Sequence, residues 1–407
     1  MPQISKRGTA MPSSPIRKLV PYADGAKARG TKVYHLNIGQ PDIPTPPQFM
    51  EAVKAADIPV LSYSHSQGIP SVQNKFIEYY RRIGIPLTPK NLLVTTGGSE
   101  ALNFAFLAAV DLGDEVIIPE PFYANYNGFS IATGAHVVPI TTRLEDNFDL
   151  PEIEEFEKLI TARTRAILIC NPSNPTGKLY TKEALLKLRD LVLKHDLFLV
   201  VDEVYREFVY DGEQHVSALT LEGLEQHVIV VDSISKRYSA CGARIGNIVS
   251  YNEGIIATAL KAAQARLSPP TLAQLGAEAV IDVEPAYFTN VKAEYVARRD
   301  ALVRLLRDIP GTVVPQASGA FYLTVRLPVD NTETFCRWML ESFSYEGATV
   351  MMAPAAGFYA TPGLGLDEVR IAYVLNQADL EKAMGCLAEG LKVYPGSKIA
   401  TATAESN

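Results

Sequence analysis

An α/β fold on a largely parallel sheet, followed by a smaller α+β unit, is predicted by three observations on this 407-residue chain. Between about residues 90 and 250, short β-branched runs alternate with amphipathic stretches of roughly 10 to 15 residues. The strand-like runs are continuously apolar, as expected for a sheet covered on both faces. The length also suits two or three domains at roughly 150 residues each.

In chain order the strand candidates are NLLVTT, EVIIP, HVVPI, AILIC, FLVVD, VIVVD and IGNIVS, with ALNFAFLAAV and KEALLKLRDLVLKH among the helical stretches between them. Sites in such sheets gather at the carboxyl ends of the strands, so polar residues directly after each run carry the most information. Beyond residue 250 the pattern changes. A helical stretch over about 271–308 leads into GTVVPQASGAFYLTVRLP, which reads as two strands around a turn. A helix near 331–346, the strands TVMMAP and EVRIAYVLN, and a final helix near 377–392 follow. The expected organisation is a large domain over 46–290, a small one from 1–45 with 291–396, and a frayed tail over 397–407.

Composition narrows the function. Lys and Arg number 38 against 45 Asp and Glu, a net charge of −7 that gives no reason to expect nucleic acid or an anionic membrane as partner. No apolar run approaches the roughly 20 residues of a membrane span, and MPQISKRGTAMPSSP lacks the apolar core of a secretory signal. A soluble, cytoplasmic protein is expected. Cys170, Cys241, Cys336 and Cys386 are far apart with no CxxC, and the six histidines show no ligand spacing, so no metal site is expected.

Five segments carry possible chemistry, each with a plainer alternative. VVDSISKRYSACGARIG crowds Ser233, Ser235, Lys236 and Arg244 at the end of a buried-looking strand. A desolvated lysine there is the usual Schiff-base nucleophile, and the hydroxyls and guanidinium suit a phosphate; the alternative is a solvated polar loop. VTTGGSEALNF is a strand, a Gly-Gly turn and a helix start, where Gly98 and Ser99 either offer N–H groups to an anion or simply cap a turn. It matches neither the dinucleotide fingerprint nor the P-loop. In FLVVDEVYREF, Asp202 is a solvent-exposed strand end or a buried charge with a partner, and it can share a site with Tyr205 only if the strand stops at Asp202. AILICNPSNPTGKLY is a constrained turn whose Asn174 is able to meet a ligand oxygen. EVRIAYV sets Arg370 with Glu368 and Ala372 on one face, as a carboxylate clamp or as an ordinary exposed residue.

Together and in this order, these segments resemble the class I aminotransferases, pyridoxal-phosphate (PLP) enzymes of fold type I similar to aspartate aminotransferase. LNIGQPD, YSHSQG, GGSEAL, PEPFYANY, NPSNPTG, VVDEVY, SISK and VRIAYV carry the resemblance over residues 36 to 374, and SISKRYSACGARIG matches the family's lysine signature throughout. The resemblance implies a large domain with a mostly parallel mixed sheet plus a smaller α+β domain. It implies a ping-pong exchange between an amino acid and a 2-oxo acid. Lys236 would hold PLP as a Schiff base and later shuttle the proton at the substrate's α-carbon. Asp202 would pair with the pyridine nitrogen, Tyr205 and Asn174 would meet the ring's phenolic oxygen, and Tyr123 would stack on the ring. Gly98, Ser99, Ser233, Ser235 and Arg244 would hold the phosphate. Tyr63 would reach the phosphate of the neighbouring subunit, which implies a homodimer with shared active sites. Arg370 would clamp the substrate α-carboxylate, with Gly39 and Asn174 lining that end.

Aspartate is the expected donor and 2-oxoglutarate the acceptor; a broad aromatic or aliphatic aminotransferase and a PLP-dependent β-eliminating lyase are the alternatives. One departure from the family bears on this. Some aspartate-specific members bind the distal carboxylate with an arginine of the partner subunit six residues before an Asn-Pro-Pro. Here the stretch is KAAQARLSPPTLAQ, with Ala263 six residues before Pro269 and Arg266 as the nearest arginine. An Arg266 facing the pocket would favour aspartate and glutamate; facing away, it would leave Tyr63, Tyr123 and apolar neighbours to receive the side chain.

Overall fold

A computed structural model describes residues 2–399. Its strands are β1 (Lys32–His35), β2 (Leu92–Thr95), β3 (Glu115–Glu120), β4 (His136–Thr141), β5 (Thr164–Cys170), β6 (Phe198–Asp202), β7 (Val228–Ser233), β8 (Gly246–Val249), β9 (Tyr322–Arg326), β10 (Ala348–Met351), β11 (Ala353–Pro354) and β12 (Glu368–Ala372).

Seven strands form one sheet in the order β2-β8-β7-β6-β5-β3-β4. β7, β6, β5, β3 and β4 are parallel, while β8 runs antiparallel to both β7 and β2. The sheet is therefore mixed, and the IGNIVS run supplies the reversed strand. The continuous apolar runs follow from burial on both faces: along β7, Ile229 and Val231 join one core, and Val228 and Val230 the other. The helices Gly98–Ala109 and Lys182–His195 contribute to these two opposite cores.

The remaining strands form two small sheets, a parallel pair β1-β10 and an antiparallel set β11-β12-β9. Against them pack Val20–Ala28, Thr332–Glu341 and Gln377–Val393. Here the structure corrects several expectations. The 271–308 stretch is two helices, Thr271–Val280 and Pro285–Arg307, because Pro285 cannot continue the preceding helix but suits the first turn of the next. GTVVPQASGAFYLTVRLP yields one strand, β9. Val313 makes only an isolated bridge to Arg326, and Pro315 has no N–H to extend it. The helix expected at 331–346 ends at Glu341. Part of the expected frayed tail is tied down: Ser397 bridges Val329, and Lys398 N–H donates to the Pro328 carbonyl at 2.8 Å. Residues 400–407 lie outside the described residues. Among the described residues no helix is long and apolar enough to cross a membrane, and no cluster of metal-ligating side chains occurs.

Candidate active site

Because β8 is reversed, its start lies at the same sheet edge as the carboxyl ends of β2, β5, β6 and β7, with Ser233 and Thr95 both in register with Gly246. A cavity of about 610 Å³ opens there, a size suited to a small molecule. Gly39, Gly98, Ser99, Tyr123, Asn174, Asp202, Tyr205, Ser233, Ser235, Lys236, Arg244 and Arg370 all line it. Residues scattered over more than 330 positions of sequence are thus brought to one wall.

One end of the cavity is an anion cradle. Gly97 precedes the helix Gly98–Ala109 at φ +77°, and a Cβ there would lie 2.2 Å from Arg244 Nη2. A Cβ on Gly246 would meet backbone atoms of Asp232, Gly97 and Gly98 between 2.6 and 2.9 Å. Only glycine lets the helix start, the end of β7 and the arginine come this close. Ser233 and Ser235 hydroxyls are 2.8 Å apart, and Arg244 Nη1 donates to Ser235 Oγ at 3.5 Å. Helix N–H groups, two hydroxyls and a guanidinium together suit a phosphate.

Lys236 sits on the short helix Ile234–Arg237, which Ser233 caps by accepting from Ser235 N–H at 3.1 Å. Its Nζ donates to the Gly39 carbonyl at 2.8 Å, with Cys241 Sγ 3.8 Å away. Gly39 is required beside Tyr322, whose hydroxyl would lie 1.8 Å from a Cβ at that position.

β6 does end at Asp202, so the chain turns and Tyr205 reaches the same cavity. Asp202 is 5% exposed and accepts from Tyr126 Oη at 2.9 Å and Val204 N–H at 3.3 Å. Among the described residues no Lys or Arg nitrogen lies within ion-pair distance of it. Burial pushes its carboxyl up to about 6, and the bonds from Tyr126 and Val204 only partly offset this.

Arg370 is 1% exposed, which overturns its reading as an ordinary exposed strand residue; β12 is buried on both faces. Its Nη1 donates to Asn174 Oδ1 at 3.0 Å and its Nη2 to the Asn37 carbonyl, while Nε has no partner. Tyr322 and Phe358 hold the guanidinium carbon at 4.6 and 4.9 Å from their ring centres. Burial lowers its pKa, and among the described residues no carboxylate pairs with it. A buried guanidinium held by neutral groups is a receptor for an anion from outside.

Tyr205 Oη meets Tyr322 Oη at 2.8 Å. Tyr123 stands edge-on to Tyr126 at 5.5 Å, and burial pushes its hydroxyl up to about 12. Tyr63 is not brought into this cavity; it is 78% exposed on a segment that also exposes Val60 and Leu61. Arg266 is not brought in either. It ends the helix Glu253–Arg266, lies 3.5 Å from Glu100 and donates to the Ser66 carbonyl at 3.2 Å. With an acid of its own beside it, Arg266 does not enter this chain's cavity.

Sequence reasoning missed Tyr126, Tyr322, Asn37, Cys241 and Arg17. Tyr126 lies within PEPFYANY, and a tyrosine on a buried helix face needs a hydroxyl partner, which is the one signal available for it. Cys241 lies within SISKRYSACGARIG itself, five residues from Lys236; Tyr322, Asn37 and Arg17 depend on segments distant in sequence.

Residues 31–387 match the family described as aminotransferase class I and II. The chain is 33% identical to an aspartate/prephenate aminotransferase of Thermus thermophilus over 389 residues, covering 94% of this chain and 97% of that one. It is 31% identical to an aspartate aminotransferase of Geobacillus stearothermophilus, with the same coverage. A solved structure of a Thermus thermophilus aspartate aminotransferase single mutant superposes with a TM-score of 0.87 at 30% identity, covering 96% of this chain and 100% of the other.

Proposed function

The chain belongs to the class I and II aminotransferases, and from that premise we propose that it uses pyridoxal phosphate to exchange an amino group between aspartate and 2-oxoglutarate in a ping-pong cycle. The observation that carries this reading is a single cavity holding Lys236, the buried Asp202 and the buried Arg370, neither of which has an ion-pair partner among the described residues. The cradle closed by Gly97 and Gly246, where a Cβ would clash, fits the cofactor's phosphate. Aspartate as donor is supported by the relatives that bear its name.

When bound, pyridoxal phosphate supplies an aldehyde for the amine and a ring that takes up electron density from the substrate's α-carbon. Gly98, Ser99, Ser233, Ser235 and Arg244 would anchor the phosphate. Asp202 would pair as a carboxylate with the ring nitrogen, which would offset the burial that raises its pKa. Tyr205 and Asn174 would orient the ring through hydrogen bonds, and Tyr123 would pack against it. Arg370 would hold the α-carboxylate in the cavity that Lys236 also lines. Lys236 Nζ, as a free amine, would take the α-proton and return it.

The same reading takes the large domain as 46–290 and the small one as 1–45 with 291–396. It takes the active unit as a homodimer in which exposed Tyr63 reaches the partner's phosphate site, Ile58, Val60 and Leu61 being covered by the second copy. The cytoplasmic setting is supported by four cysteines, all free.

Purified protein should be yellow, and borohydride should fix the cofactor to Lys236. A panel of amino donors with 2-oxoglutarate should rank aspartate first. An adduct on another lysine, or pyruvate released from cystathionine without amino transfer, would replace this reading.

A further inference from the structure

Four cationic side chains line the cavity, Arg17, Lys236, Arg244 and Arg370, against one carboxylate, Asp202. In the reading above Lys236 takes the aldehyde, Arg244 the phosphate and Arg370 the α-carboxylate. Arg17 is left over.

Its position is fixed by the segment that carries it. Pro15 is buried against Gly357, where a Cβ would come within 2.3 Å of the proline ring. Asn37 Nδ2 donates to the Ile16 carbonyl at 2.8 Å, and the carbonyl of the same Asn37 accepts from Arg370. Ile16 packs on the cluster containing Phe358, the ring that lies against the Arg370 guanidinium. One asparagine and one phenylalanine thus tie the backbone next to Arg17 to the α-carboxylate clamp. Among the described residues no acid pairs with Arg17, whereas the adjacent Lys18 is held by Glu333 at 2.6 Å. An exposed cation carries little weight alone; this one lies on the wall of a cavity already built for anions, on a segment tied to the α-carboxylate clamp.

We propose that Arg17 receives the side-chain carboxylate of dicarboxylic substrates, as a specificity-determining residue supplied by the chain to its own site. A guanidinium suits this through two parallel hydrogen bonds to a carboxylate. The proposal rests on the cavity being the amino acid site.

The test compares the holoenzyme with Arg17→Gln, Arg17→Lys and Lys18→Gln, using kcat/KM for aspartate and for phenylalanine, and calorimetric binding of maleate, an unreactive dicarboxylate. Loss of a charge-assisted pair should lower the aspartate-to-phenylalanine ratio about 10- to 100-fold and weaken maleate by a similar factor in Arg17→Gln. Arg17→Lys should recover part of both, and Lys18→Gln should move neither. A ratio and a maleate affinity unmoved in Arg17→Gln, or moved equally in Lys18→Gln, would overturn the proposal. A protein that transfers no amino group from any donor yet still loses maleate in Arg17→Gln would sink the aminotransferase reading of this chain and sustain the role of Arg17.

Discussion

FLVVD at the end of β6 and VIVVD within β7 have almost the same local sequence and lie on neighbouring parallel strands, yet their aspartates do opposite things. Asp202 is in register with Val231, so Asp232 stands one residue further along and points to the other face. On that face Asp232 is embraced by Arg237, with Tyr80 Oη at 3.4 Å and Arg206 at 3.9 Å. Asp202 faces the cavity, and among the described residues its hydrogen-bond donors are a tyrosine hydroxyl and a backbone N–H. A buried acid with its own arginine is part of the scaffold. A buried acid with only neutral donors is waiting for a cation.

The contrast is broken most forcefully at Asp202. Asp202→Asn keeps the shape but removes the charge, and kcat with the preferred donor should fall by roughly 10²- to 10⁴-fold, while borohydride still fixes cofactor to Lys236. Stopped-flow half-reactions measure this, and near-normal rates would mean that the ring nitrogen is tuned by another group. Next comes Asp232→Asn, which strands the buried Arg237 without an anion and should cost about 3–5 kcal/mol in urea unfolding. Asp202→Asn should cost the cofactor-free protein nothing by the same assay. Equal losses in the two variants would erase the distinction between scaffold and site.

The smallest effect sharpens the comparison by pH. Asp202 is raised in the folded chain from 3.8 to about 6, so between these values the folded form holds a proton that the unfolded form has released. Its stabilising contribution is therefore complete below about pH 4 and disappears as the pH rises through 6, a change of about 3 kcal/mol for the cofactor-free chain. Stability curves of wild type and Asp202→Asn, both without cofactor, should converge or diverge by that amount across the window. Adding pyridoxal phosphate should remove the difference. Parallel curves before and after addition would show that no cation meets Asp202.

The cradle at Gly98 and Arg244 was more legible than the buried Arg370. GGSEAL and SISKRYSACGARIG are local signals, because glycine turns, helix starts and strand ends are short-range features that a stretch of sequence largely dictates by itself. Arg370 was equally visible as a residue, but whether EVRIAYV is exposed or buried depends on β9 and β11, which flank it from elsewhere in the chain. Arg17 and Arg266 show the limit more sharply. Both are single arginines near helix ends, and only packing assigns one to the cavity wall and the other to Glu100.

The sequence by itself determined the alternation of apolar runs and helices, the glycine turns, and the placing of Lys236 just after a strand, since these rest on backbone sterics and periodicity within a few residues. The tertiary structure alone decided which face each strand-end acid looks toward, which arginines are answered by an acid, and that a segment near residue 15 lies against one near 357. Those are questions of register and of what is packed opposite. A charge's role depends on the partner that burial puts beside it, and that partner is contributed by a distant part of the chain.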